Sequence, residues 1–434
     1  MLLKRLQLGL IHVAVAMTLV PINSTLNRVM IKEFALSATL VAILASLPYL
    51  LSPIQVAIGS FSDRHPVLGY HRTPYILAGL LLCVFGVIVS PQVAFALVEN
   101  FPLGLLLGVV AFGAWGMGFN LATVSYFSLA TEISGEKGRA RTIAIMFFMM
   151  ITSIIVTAIT LSRLLETYSP DTLQSAFFVV GLVALGLGLL GLLRVEERAR
   201  RGELRTADAY TWRAMTEAIW GNRQARLFFW YLLILLAALL GQDVLLEPFA
   251  AEAFDLSVQA TTRITSILGV CVLAALLLAG FLEQRLSKRG VALTGGAIAL
   301  LGFLLIILSG FVLSLPVFYT GVILLGAGTG LSTVSNLSLM LDMTTPGSVG
   351  LYIGAWGMAN AFSRLTGSLL SGIVRDLVTQ VSSPLLGYLS VFSILAVFML
   401  VSLLLLQRVD VSLFQRRAQS ELSLIERAAL ASEA

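Results

Sequence analysis

The chain has 434 residues, 58% of them hydrophobic and only 12% charged, with a formal net charge of +5. A chain of this length cannot bury so much apolar surface away from water, so the composition excludes a soluble globular domain and makes the membrane the solvent. The two cysteines, Cys83 and Cys271, lie in separate apolar runs and indicate neither a disulfide framework nor a metal cluster.

Stretches long enough to cross ~30 Å of hydrocarbon at ~1.5 Å per residue occur at 6–31, 38–61, 74–95, 101–131, 140–164, 174–194, 225–250, 261–282, 290–311, 315–341, 348–376 and 384–407. Backbone groups in lipid must bond within their own segment, so all twelve are expected to be helices. The fold class is therefore all-α integral membrane. Lys4 and Arg5 followed by an apolar run and "AVA" at 14–16 imitate a signal peptide, but the run continues through Met30, and cleavage would remove half a span. His12 lies in this first segment and is a potential ligand for a tetrapyrrole metal, or a structural histidine. Further along, Asn23 and Asn27 stand one helical turn apart, followed by Arg28.

Segments two and three are joined by "GSFSDRHPVLGYHR", where Asp63, Arg64 and Arg72 provide an acid and two bases on a short loop. Segment four carries Asn120 and ends in "TVSYFSLATE", closing on Glu132. After segment six comes the charged run "RVEERARRGELR". Trp212, Met215, Ile219 and Trp220 then recur at near-helical spacing, predicting an amphipathic helix on the membrane surface. Segment seven ends with Gln242, Asp243 and Glu247, the two acids again at i,i+4. Segment ten contains "TVSNLSLMLD", closing on Asp342.

The second half repeats the first. Gly118–Glu132 aligns with Gly328–Asp342, and Phe34, Leu36 and Ser37 align with Phe254, Leu256 and Ser257. The pairs keep the same order, so the chain reads as two parallel six-helix repeats, 1–194 and 225–407, with a linker at 195–224 and a tail at 408–434. Glycines near both repeated stretches (Gly113, Gly116, Gly118; Gly326, Gly328, Gly330) are expected to let helices approach closely. With the N-terminus inside, all but six of the 28 basic residues fall on the inner side or in the tails. The exceptions are Arg28, Lys32, Arg163, Arg263, Arg364 and Arg375. The basic surplus is thus a topology signal that places both termini in the cytoplasm, rather than a nucleic-acid signal.

Parallel repeats of this kind resemble the major facilitator fold, and the loop carrying Asp63, Arg64 and Arg72 resembles that superfamily's helix two–three motif, with a longer spacing after Arg64. The resemblance implies an inner gate, to which Glu132 and Asp342 would belong as gate or cap residues; a solvated inner loop is the competing reading. Asn23, Asn27, Arg28, Asn120, Gln242, Asp243 and Glu247 are candidate cavity residues, because polar groups at membrane depth are costly unless used. Two readings of Arg28 and the acids stand: a shared cavity between helices one and seven, or an arginine reaching outward and acids already in the outer loop. Other patterns lead nowhere. "GLGLLG" at Gly186–Gly191 lies inside a span with no preceding strand, no P-loop is present, the histidines are too dispersed for a metal site, and no nucleophile–base pair supports an enzyme.

"LNRVMIKE" at Leu26–Glu33, "SDRHPVLGYHRTPYILAG" at Ser62–Gly79 and "QDVLLEPFAAEAFDLSVQATTRIT" at Gln242–Thr265 resemble the PucC/LhaA branch of the major facilitator superfamily. That resemblance implies a photosynthetic-membrane protein that delivers or handles chlorophyll or bacteriochlorophyll for light-harvesting or photosystem apoproteins. His12, Asn23 and Asn27 would then be the first pigment contacts to examine, with the lipid bilayer as the other partner. A proton-coupled transporter using Asp243 and Glu247, and a non-transporting scaffold for antenna assembly, are the alternatives.

Overall fold

The computed structural model describes residues 2–198, 212–344 and 349–416, apart from 53, 55–57, 59, 60, 63 and 284. The described residues are almost entirely helical. Its first half contains α1 (Leu2–Glu33), α2 (Ala38–Ala45, continued by Leu47–Leu50), α3 (Thr73–Glu99), α4 (Phe101–Gly135), α5 (Arg141–Leu164) and α6 (Pro170–Leu192). After the linker come α7 (Trp212–Gly221), α8 (Arg223–Val244), α9 (Leu246–Phe254), α10 (Val258–Leu282), α11 (Lys288–Val312), α12 (Leu315–Asp342), α13 (Val349–Val381) and α14 (Pro384–Leu406).

Ten of these helices are long and apolar enough to cross a membrane, counted among the described residues. The other two predicted segments do not meet that measure: 38–61 is described only in part, and α13 has its apolar run diluted by Asn360, Arg364, Arg375 and Asp376. In the chain's alternating course, the starts of α1, α3 and α11 share one end of the bundle with the ends of α4, α12 and α14. This is called here the terminal end, and the opposite one the far end.

Segments one and seven are not the continuous helices the sequence predicts. In α1 the α-helix runs only to Met17, and π-helical turns occupy Pro21–Leu26 and Val29–Glu33. Pro21 has no N–H to return to the carbonyl four residues back, so the regular ladder fails just before it. Segment seven is split by a 3₁₀ turn at Gln242–Val244, four residues upstream of Pro248, for the same reason. Segments four and five run on from one to the other, bent at Gly135, whose φ of 61° and ψ of 176° only glycine tolerates.

The two halves repeat in detail. Ala35 and Asp255, 220 positions apart, both take a left-handed backbone, with φ of 50° and 52°. The serines two residues later, Ser37 and Ser257, cap α2 and α10 by accepting from the amides of Leu40 and Ala260. At Gly118 a Cβ would lie 2.5 Å from the Gly79 carbonyl oxygen, and at Gly328 a Cβ would lie 2.5 Å from that of Gly295. Each repeat therefore crosses its third and fourth helices backbone to backbone at the same place. Gly113 departs from the expected pattern, since nothing approaches it within 4 Å.

The surface helix α7 differs from its expectation in one respect. Met215 and Ile219 are buried, Met215 lying against Gly354 of α13, so part of the apolar stripe packs on protein while Trp220 stays exposed. The tail is described as far as Arg416, where the Phe414 ring meets Tyr352 with centroids 5.3 Å apart and Gln415 donates to the Asp342 carbonyl.

Candidate functional site

At the far end, hydrogen bonds join the two halves directly. Ser24 of α1 donates to Glu247 of α9, and Thr265 of α10 donates to the same carboxylate oxygen at 2.6 Å. One turn along, the hydroxyls of Thr25 and Thr262 meet at 3.1 Å. Arg28, fully enclosed, pairs with Glu33 and donates to the Leu256 carbonyl at 3.0 Å. Lys32 pairs with Glu252 at 2.7 Å, and these two occupy equivalent repeat positions, 220 apart. Asp376 of α13 receives the Ser37 and Thr39 hydroxyls and the amides of Ala38 and Thr39, so it holds the exposed N-terminus of α2.

The π-helical turns explain which residues make this latch. A π turn holds more residues per turn than an α turn and so shifts the register of the helix face, and the face carrying Asn23 and Asn27 is not the one that meets the second half. Ser24 and Thr25 point there instead. The Asn27 amide N–H bonds back to Ile22, leaving the Asn23 carbonyl open, and the Asn27 side chain itself fills that gap at 3.0 Å. Asn27 thus serves its own helix, and Asn23 is half-buried beside it. Arg28 is buried and paired, its guanidinium reaching along α1 toward the far end to meet Glu33 and the Leu256 carbonyl.

Asp243 and Glu247 are likewise separated by the helix break. Glu247 is buried in the latch with its second oxygen unpartnered, whereas Asp243 is half-buried and accepts from the Gln242 amide at 2.6 Å. The Arg364 guanidinium, for its part, donates to the Tyr49 hydroxyl at 3.0 Å and lies over that ring, 5.0 Å from the centroid. Arg364 therefore has a partner on α2 that the sequence pattern gives no means of finding. Asn120 donates to the carbonyls of Pro48 and Gly116 and ties α4 to α2.

His12 stands apart from these groups, twelve residues before Ser24 on α1, a rise on the order of 18 Å. Its ring is ringed by aromatics of α4 and α5: Tyr126, Phe127 and Phe147, with centroids 5.0, 5.5 and 5.3 Å away. The imidazole makes no hydrogen bond to a described residue, and its Nδ1 is buried without a partner. A buried polar nitrogen left unsatisfied costs ~1–3 kcal/mol, a cost that a ligand bound at that nitrogen would remove.

The terminal end is organised by pairs within each half. Arg72, at the start of α3, pairs with Glu132 at 3.1 Å, and Lys288, at the start of α11, pairs with Asp342 at 2.8 Å. The acids that close the two repeated stretches thus hold matching bases. Glu196 adds a contact that its setting in a charged linker run conceals: it accepts the backbone amides of His71, Arg72 and Thr73 and caps α3. Arg64 is exposed on the same loop; Asp63 lies outside the described residues.

Broken first helices in both halves, with polar groups buried and bonded between them, define a multi-pass helical protein built of two repeated bundles. Its backbone is similar to a bacterial homologue of the human lysosomal transporter Spinster in an inward-facing, unoccupied conformation, with a TM-score of 0.71 at 15% identity over 93% of this chain and 95% of that one. Residues 25–414 match the PUCC protein family, and the chain belongs to it. It is 31% identical to Protein PucC of Rhodovulum sulfidophilum over 86% of this chain and 85% of that protein. It is also 30% identical to the bacteriochlorophyll synthase 44.5 kDa chain of Rhodobacter capsulatus, over 87% of this chain and 88% of that one. The chain is thereby a multi-pass membrane protein of photosynthetic bacteria, in contact with the lipid bilayer.

Proposed function

We propose that this protein handles a chlorophyll or bacteriochlorophyll during assembly of light-harvesting or photosystem apoproteins. In this reading it crosses the membrane twelve times, with both termini in the cytoplasm and two six-helix bundles at 1–194 and 225–407. The observation that carries it is His12: an imidazole without a hydrogen-bond partner, set among three aromatic rings, in a chain of the PucC family. A chlorophyll presents one metal that accepts one axial ligand, a flat apolar ring and an apolar tail. A free ring nitrogen with aromatic faces around it matches that chemistry. The second-half latch would keep the far end shut while cargo enters elsewhere.

The test is pigment extraction from protein purified gently from a chlorophyll-making host, beside an unrelated twelve-helix protein purified identically. A stoichiometric red absorption band above that background supports pigment handling. His12→Ala is expected to reduce the retained pigment about tenfold, equivalent to ~1.4 kcal/mol of binding. Pigment at background in the wild type, or unchanged in His12→Ala, removes His12 as a ligand.

A second reading, proton-coupled transport of an amphiphilic solute, is favoured by one observation: a buried acid, Glu247, bonds the halves together. It requires that Asp243→Asn or Glu247→Gln abolish uptake into cells or vesicles. Intact uptake in both variants excludes it.

A further inference from the structure

Six basic residues fall outside the inner-side pattern, and the structure gives four of them partners. Arg28 has Glu33, Lys32 has Glu252, Arg364 has Tyr49, and Arg375 has Asp376 together with the Tyr388 ring. Arg163 and Arg263 remain. Neither guanidinium makes a hydrogen bond or ion pair with a described residue, and both line one cavity of about 590 Å³.

That cavity lies between α5 of the first half and α10 of the second, close to where Ser162 donates to the Gln259 carbonyl across the halves at 2.9 Å. Its walls include Ile159, Ile267 and Val270, and no acidic residue lines it. Ile159 and Val270 are exposed on the outer surface of the helices, so the cavity opens sideways, toward hydrocarbon. Ser266 also lines the cavity, but it is only 4% exposed and its hydroxyl is enclosed, without a partner among the described residues. Arg163 is one residue from the far end of α5 and Arg263 a little over one turn from the start of α10, at the depth where lipid headgroups lie.

We infer that this cavity is a binding site for an anionic glycerophospholipid, its phosphate held by Arg163 and Arg263 and the glycerol end of one chain lying on Ile159, Ile267 and Val270. Two arginines without a counter-ion leave a net positive site that a phosphate satisfies with paired, charge-assisted hydrogen bonds. The apolar walls and sideways opening select a lipid over free phosphate. Because one arginine comes from each half, a bound lipid braces the same end of the molecule that the latch closes. The inference is independent of the pigment reading.

The test uses full-length protein delipidated in detergent, with phosphatidylglycerol, phosphatidylcholine or inorganic phosphate added back. Bound lipid is counted by native mass spectrometry, and stability is read by thermal melting. One phosphatidylglycerol is expected to be retained, with about tenfold preference over phosphatidylcholine and a higher melting temperature. The double variant Arg163→Gln/Arg263→Gln is expected to lose that preference, while Arg163→Lys/Arg263→Lys keeps most of it. Equal retention of the two lipids by the wild type overturns the inference, and this comparison decides the matter even if the glutamine variant fails to fold. So does an undiminished preference in the glutamine variant. Stabilisation by inorganic phosphate equal to that by phosphatidylglycerol overturns the lipid assignment as well, by identifying a free-anion site.

Discussion

The two halves agree where they build scaffold and diverge where they face each other. Gly118 and Gly328 close the same helix crossing, Ala35 and Asp255 turn the same corner, and Arg72–Glu132 has its counterpart in Lys288–Asp342. Across the interface the corresponding positions differ in kind. Asn23 stands where the second half has Asp243, Asn27 where it has Glu247, and Lys32 where it has Glu252. A duplicated bundle with identical facing residues would set like charge against like. Divergence at these positions turns a pseudo-symmetric contact into a complementary one, at least for Lys32 and Glu252. All three histidines, His12 among its aromatic rings included, belong to the first half.

The largest expected effect comes from breaking what the halves share. Gly118→Leu drives a side chain into the Gly79 carbonyl and should cost about 3 kcal/mol. Gly328→Leu should cost as much, and both are read by loss of folded yield and by melting; a mild effect in one half only would show that the crossings are not equivalent. Next is the latch. Glu247→Ala leaves the hydroxyls of Ser24 and Thr265 without their acceptor, worth roughly 2 kcal/mol, and should raise thiol labelling of cysteines placed at far-end positions. Unchanged labelling would mean that the remaining contacts suffice to hold that end.

A smaller effect has the opposite sign. Ala35 adopts a left-handed conformation that its Cβ disfavours, so Ala35→Gly should stabilise by about 1 kcal/mol, whereas Asp255→Gly gains less because aspartate tolerates that region. Equal gains would contradict the assigned cause. Smallest is the pair at equivalent positions. Lys32→Glu or Glu252→Lys alone should cost about 0.5–1 kcal/mol, and the double exchange should recover most of it in a thermal melt. Failure to recover would show that neighbours such as Arg28, rather than the pair itself, set the local charge preference.

The helices and the duplication were legible because both are carried by composition and by residue identities that survive in order. The paired glycines and the acids ending each repeated stretch belong to that class. The latch was legible only in part. Its acid, Glu247, stands out as a charge at membrane depth, but Ser24, Thr25, Thr262 and Thr265 are small hydroxyls of a kind found throughout the spans. Choosing them requires the π turns of α1, which depend on how Pro21 breaks the ladder and not on any periodicity. Likewise the i,i+4 spacing of Asp243 and Glu247 assumes an unbroken helix, and Pro248 ensures that there is none. Glu196 was hidden for another reason, shared in part by Asp376, which takes two amides beside its hydroxyl partners. Glu196 bonds to backbone amides at the start of a helix, and backbone partners leave no complementary side chain to notice.

That last contact bears on how the polypeptide is connected. Glu196 fastens the end of the first half to the start of α3, while Met215 of α7 is seated on Gly354 of α13 in the second. The chain leaving one bundle and the chain entering the other are each anchored to their own side, before and after residues 199–211. A break in that stretch should yield two polypeptides that still associate in the bilayer through the far-end bonds.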